Sequence, residues 1–203
     1  GNPGWLDKVQ WFEQYTTNGW RNPAVIICLN KFCWIDPHAD TNVYLQSMQE
    51  LERRNPETLF VYMTIPLTRD ADHENDLRNA FNRTLRTFCA ERARVLYDVA
   101  DIEAHDKTGT PQTYATTNQW MYDGFAVGPG DWHLNAVGQP WVARGFYALG
   151  AALFHADRDG DGLSDGDELV AGTCPTNGAS VFGVELEAPG GAAAVQIRWV
   201  SAS

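Results

Sequence analysis

The 203-residue sequence predicts an α/β fold with a doubly wound parallel sheet. Three observations lead there. Residues 24–29 (Ala-Val-Ile-Ile-Cys-Leu) and 59–65 (Leu-Phe-Val-Tyr-Met-Thr-Ile) are nearly continuous apolar runs, the pattern of strands buried on both faces. Stretches with apolar residues at helical spacing flank and separate them. A third short run, 95–98, follows the longest of those stretches, so helix and strand alternate along the chain. Ligands in such sheets sit beyond the carboxyl ends of the strands. Residues 30–36 and 68–73 are expected on that side, with 131–133 a candidate to join them.

In chain order, 5–15 reads as an amphipathic helix, with Trp5, Val9 and Phe12 on one face and Leu6 beside them. Asn22-Pro23 breaks it before the first strand. Residues 41–54 form a second helix, turning Tyr44, Leu45, Met48 and Leu51 to a core and stopped by Asn55-Pro56. After the 59–65 strand, 74–92 is a long helix with Leu77, Ala80, Phe81, Leu85 and Phe88 on one face. Residues 108–130 are irregular and aromatic. The last helix spans 137–154, with Pro140 tolerable only in its first turn. Beyond it, 165–171 is a short helix. The runs 181–186 and 193–200 around Pro189-Gly190-Gly191 read as a β-hairpin.

The most specific motif is Asp157-Arg158-Asp159-Gly160-Asp161-Gly162-Leu163-Ser164-Asp165-Gly166-Asp167-Glu168. Carboxylates at loop positions 1, 3, 5, 9 and 12, with Gly at 6, give the spacing of a twelve-residue calcium loop. Asp157, Asp159, Asp161, Asp165 and Glu168 are the candidate carboxylate ligands, and Leu163 offers its backbone carbonyl. The expected ion is Ca2+.

Composition narrows the alternatives. The net charge is −11, which argues against nucleic acid or an anionic membrane as partner. No apolar run reaches the ~18 residues of a membrane span. The four Cys (Cys28, Cys33, Cys89, Cys174) match no zinc spacing. Their even number, with a calcium loop, suggests an oxidising compartment, though Cys28 and Cys33 also suit buried free thiols. The chain starts without Met and stops as a strand finishes, which predicts a fragment of a longer precursor.

Asp131-Trp132-His133-Leu134-Asn135-Ala136-Val137-Gly138 is the second informative stretch. A His just ahead of a helix, with an Asp two residues back, suits a general base and its orienting carboxylate. It equally suits a polar loop leading into a helix. His38, His73, His105 and His155 are scattered and read as structural or surface groups. Trp120, Tyr122 and Trp132 are candidates to line a sugar- or acyl-binding cleft.

His133-Leu134-Asn135-Ala136-x-Gly138 ahead of the last helix resembles the final sequence block of the SGNH (GDSL-type) hydrolases. Lys31-Phe32-Cys33-Trp34 after the first strand resembles a bacterial subgroup with a Lys-Phe-Cys-aromatic segment. The resemblance implies a flavodoxin-like three-layer α/β domain over 1–156 that hydrolyses an acyl or carbohydrate ester. It makes His133 the base and Asn30 an oxyanion candidate, with three alternatives for the orienting carboxylate: Asp131, Asp123, or none. None of Ser47, Ser164, Ser180, Ser201 or Ser203 stands in the family's nucleophile context. The Ser and the first strand are then expected upstream of Gly1, with a missing segment or partner chain completing the sheet. Residues 157–178 resemble thrombospondin type 3-like repeats of secreted bacterial proteins, and 179–203 would begin a β module. That implies a secreted or cell-surface protein. The other reading is a non-catalytic, calcium-binding extracellular module.

Overall fold

The computed structural model describes residues 2–18, 27–56, 58–69, 73–128, 131–171, 173–180, 182–187 and 196–201. The chain divides into two compact units, Gly1–Tyr147 and Ala148–Ser203.

In the first unit, α1 (Trp5–Asn18) leads to β1 (Ile27–Leu29), α2 (Thr41–Arg54), β2 (Leu59–Met63), α3 (His73–Arg92), β3 (Val95–Tyr97) and α4 (Val99–Ala104). The three strands are parallel in the order β1-β2-β3, with Ile27 opposite Leu59 and Val61 opposite Val95. Parallel neighbours need helical crossovers, and α2 and α3 supply them. The expected parallel sheet is therefore present. Residues 24–26 of the first expected strand lie outside the described residues.

The core forms where α1, α2 and α3 meet the sheet. Val9, Tyr44, Met48, Leu51, Tyr62, Phe81 and Leu85 are buried there. Two expectations need correction. Ile27 is 40% exposed, because among the described residues β1 pairs only with β2 and forms the sheet edge. Leu6 likewise faces solvent. Asp40 caps α2, its carboxylate accepting from Asn42 and Val43 N–H (2.8 and 3.3 Å). Asp40→Ala is expected to cost about 1 kcal/mol. An unchanged denaturant midpoint would contradict that.

The third helix departs most from its sequence pattern. Leu77 and Ala80 are exposed, and Asn75, Arg78, Asn79 and Asn82 are buried instead. Each of these polar side chains serves a neighbouring backbone. Asn82 exchanges two hydrogen bonds with Ile65 (2.7 and 3.0 Å), and Asn75 exchanges two with Thr68 (3.1 and 3.0 Å). Asn79 does the same with Gln119 (2.8 and 2.9 Å). Burying an amide costs little when it is paired and much more when it is not. The helix thus turns this face to the backbones of the loop that follows β2 and of residue 119.

A second cluster, Leu67, Ala100, Ala104, Met121 and Phe125, lies beneath that loop. Within it Glu103 of α4 is fully buried, its carboxyl Oε2 accepting from Leu67 N–H at 2.7 Å. Burial pushes its pKa up to about 8, opposed by the Leu67 N–H and by Lys31. Between the ordinary carboxylate value and about 8, the folded chain holds a proton that the unfolded chain has released. Stability should therefore fall as pH rises through that window. Glu103→Gln is expected to flatten the fall, read as melting temperature at pH about 5 and about 8. The same pH dependence in both proteins would refute it.

Residues 108–130 contain short elements rather than none. These are β4 (Thr113–Tyr114), β5 (Asn118–Gln119), a 3-10 turn (Asp123–Phe125) and β6 (Ala126–Gly128). β7 (Asp131–Leu134) then pairs antiparallel with β6. α5 (Gly138–Phe154) follows, with Pro140 in its first turn.

The second unit contains the end of α5, the acidic loop, α6 (Asp165–Ala171) and the hairpin β8–β9 (Phe182–Glu187 with Gln196–Ser201). The hairpin is antiparallel with Phe182 opposite Ser201, as its pattern predicts.

Candidate functional site

The loop beyond the carboxyl end of β1 is held from several directions. Asp36 is buried, accepts from Cys33 N–H (2.7 Å) and pairs with Lys8 of α1. Arg78, also fully buried, donates through Nε to the Trp34 carbonyl (2.8 Å). Its Nη1 donates to Asn75 Oδ1 (3.2 Å) and Thr68 Oγ1 (3.4 Å), and Nη2 donates to Glu74 (3.3 Å). One guanidinium thus ties the loops after β1 and β2 to α3. A buried cation is tolerable only with such partners.

Trp34 extends from this loop to β7. Its ring meets Trp132 edge to face (centroids 4.8 Å apart, 73°) and His133 (6.0 Å, 85°). The expected meeting of 30–36 with 131–133 is observed.

Residues 131–133 form a strand, not the polar loop their composition suggests. Strand side chains alternate, so positions two apart share a face. Asp131 and His133 are therefore neighbours. Asp131 Oδ1 lies 2.7 Å from His133 Nδ1 and accepts from His133 N–H at 3.0 Å. Both bonds hold the Asp131 carboxyl below its ordinary range. With Nδ1–H donating to the carboxylate, Nε2 carries the lone pair and can accept a proton. Asp123, the other candidate partner, pairs with Arg69 instead (3.1 Å). His133 is 72% exposed and Asp131 48%, so solvent screens their attraction.

The rest of this motif is structural. Asn135 Oδ1 accepts from Val137 and Gly138 N–H (2.8 and 3.0 Å), satisfying free donors at the start of α5. Its Nδ2 donates to the Gly124 and Ala126 carbonyls (3.0 and 2.8 Å). A Cβ on Gly138 would come within 2.9 Å of the Phe125 carbonyl, which explains the glycine.

Asn30 is only 3% exposed, and its Nδ2 has no partner. It lines a cavity of about 460 Å³ bordered by α1 and β1. Of the cleft candidates, Trp132 meets Trp34, whereas Trp120 packs on Tyr114 and Tyr122 on Phe125. His38 and His155 are exposed, and His105 Nδ1 lies 2.7 Å from the Asp101 carbonyl. The His73 side chain lies outside the described residues. All four Cys are free. Burial pushes the Cys28 thiol up, and the Cys89 thiol up to about 12, leaving both poor nucleophiles. Ser47 is buried on α2, and Ser164 Oγ donates to Asp167 (2.7 Å).

In the second unit the acidic loop winds as its spacing predicts. Asp157, Asp159 and Asp161 place ligand oxygens within 4.8 Å of one another. Asp157 accepts from Gly160 and Gly162 N–H (2.8 and 3.1 Å), and Asp161 Oδ1 accepts from Leu163 N–H (2.9 Å). Gly160 and Gly162 have φ of +73° and +97°, a region that costs a side-chain-bearing residue strain. Glu168 on α6 is fully buried. Burial raises its pKa, and the charges of Asp159 and Asp161 add to the rise. Asp159 Oδ2, Asp161 Oδ2 and Glu168 Oε2 are all buried without a partner. Three orphaned anionic oxygens converging on one loop fit a hard divalent cation, which would satisfy and neutralise them. Asp157, Asp159, Asp161 and Glu168 would hold it. Asp165 faces Arg158, accepting from its N–H (3.2 Å) and pairing with its guanidinium. Gly178 lies against the loop, where a Cβ would sit 3.5 Å from the Asp159 carbonyl.

Trp34 lies in the loop expected near 131–133, but nothing in the sequence singled it out as the neighbour of the imidazole, and Arg78 and Glu103 were not among the candidate residues. The polar spacing Asn75, Arg78, Asn79, Asn82 on one helical face was the available signal for Arg78. No described helix is long and apolar enough to cross a membrane.

No curated protein matches the chain. A solved structure described as a lipolytic protein of the G-D-S-L family, from Desulfitobacterium hafniense, superposes with a TM-score of 0.45 at 8% identity. The superposition covers 72% of this chain and 74% of that one. Residues 157–178, beginning at the first carboxylate of the acidic loop, match the family model described as the bacterial TSP3 repeat.

Proposed function

We propose that this chain is the base-bearing part of an SGNH-type ester hydrolase, secreted or held at the cell surface, with a Ca2+-stabilised repeat after its last helix. The observation that carries the hydrolase reading is the Asp131–His133 pair: 2.7 Å from carboxylate to Nδ1, with Nε2 left to take a proton. It stands beside the loop beyond β1, on the side where parallel sheets bind ligands. His133 serves as general base toward a hydroxyl nucleophile. Asp131 fixes its tautomer and stabilises the imidazolium that forms. On this reading the attacking Ser comes from a segment outside these 203 residues or from a partner chain, which also completes the sheet at β1. The substrate is an acyl or carbohydrate ester.

The test is hydrolysis of an activated aryl ester by the natural protein that contains this chain, with and without His133→Ala. A second reading, a non-catalytic Ca2+-binding module, is favoured by the serines. Among the described residues, the hydrogen-bond partner of His133 is Asp131 and not a Ser. That reading predicts no hydrolysis at all, alongside a calcium-dependent melting temperature.

A further inference from the structure

Two features of the Asp131–His133 pair pull against each other. The hydrogen bond is short, yet both side chains face water, where a single exposed bond exchanges readily with solvent. An imidazole held only by Asp131 would rotate about its side-chain torsions and sample both tautomers. Something else must restrict the ring if Nε2 is to stay directed at a substrate.

The indole of Trp34 is the group in contact. Its ring stands nearly perpendicular to the imidazole at 6.0 Å and to Trp132, the residue between the pair, at 4.8 Å. Trp34 is itself fixed from behind. Its carbonyl accepts from the buried Arg78, and its loop is tied down by Asp36 through Cys33 N–H and Lys8. Its Nε1–H is buried without a partner, a cost that a Phe at the same place would not carry.

We propose that Trp34, anchored by Arg78, is the positioning residue of the His133 imidazole, holding the ring so that Nδ1 stays on Asp131 and Nε2 faces the substrate. This deepens the hydrolase reading and names a role in it for Trp34. It involves no bond making or breaking by Trp34 itself.

The experiment reads the imidazole directly in the 203-residue chain, by ¹⁵N chemical shifts of Nδ1 and Nε2 at a pH where the ring is neutral. The wild type is expected to show the Nδ1–H form, and Trp34→Ala a mixture of the two tautomers. Trp34→Phe is expected to stay close to wild type and to be no less stable, because it keeps a ring and removes the unpartnered donor. A tautomer unchanged in Trp34→Ala, with Asp131→Ala shifting it, would overturn the proposal. If Trp34→Ala does not fold, Trp34→Phe decides: a clear loss of stability makes the residue structural and overturns the proposal.

In the natural protein, Trp34→Ala is expected to lower kcat by about 10²-fold with KM little changed, the mark of a misplaced catalytic group. Trp34→Phe should recover most of that loss. Failure of the two readings is distinguishable. Shifted ¹⁵N signals in a protein with no esterase activity sink the hydrolase and leave the positioning role. Activity that needs His133 but is indifferent to Trp34 does the reverse.

Discussion

Saturating calcium is expected to raise the melting temperature of the Ala148–Ser203 unit by several degrees. Without a cation, Asp159, Asp161 and Glu168 hold unpartnered anionic oxygens in the interior, and their charges repel. An ion that binds only the wound loop stabilises it by about 2.7 kcal/mol at a hundredfold excess over Kd. Glu168→Gln separates the two contributions. It removes a buried charge from the repelling set and would remove one carboxylate ligand from the site. The variant should therefore be no less stable than wild type in chelator, and should lose most of the calcium shift. Magnesium should do less, since it dehydrates reluctantly and demands a tighter octahedron. A wild-type melting curve identical in chelator and in millimolar calcium would show that the carboxylate cluster is not a calcium site.

The other large effect is on catalysis. His133→Ala in the natural protein should lower kcat/KM for an activated ester by about 10²- to 10⁴-fold, the range for a lost general base. Asp131→Ala should cost less, because water can replace the acceptor at an imidazole as exposed as this one. Equal hydrolysis by wild type and His133→Ala would remove the proposed function. Activity absent from both would favour the calcium-binding module.

Much of this was legible before folding was considered, for definite reasons. Apolar runs too long for one face read directly as strands of a parallel sheet, and β2 and β3 formed where expected. The acidic loop is a local object. Its carboxylates lie within twelve residues, its two left-handed glycines are written in the sequence, and the same spacing predicted their clustering. Asp131 and His133 were likewise near neighbours, though the strand that puts them on one face was not foreseen.

What failed were judgements that depend on distant partners. Leu77 and Ala80 sit at core spacing on α3, yet the helix turns Asn75, Arg78, Asn79 and Asn82 inward. The backbones of the loops after β1 and β2 and of β5 needed those side chains, and their polar spacing on one face marks the face without naming its partners. Ile27 looked like the interior of a strand and lies at a sheet edge. Glu103 carried no signal in the sequence and is buried with a raised pKa.

Local pattern was therefore enough for the alternation of helix and strand, the acidic loop and the pairing of Asp131 with His133. Each depends on side chains a few residues apart, whose relation is set by the 3.6- or 2-residue period of the backbone. Only the folded chain could bring Trp34 to His133 and bury Arg78 behind Trp34. Those contacts join segments separated by about a hundred and by 44 residues, and burial and packing against a shared core determine them.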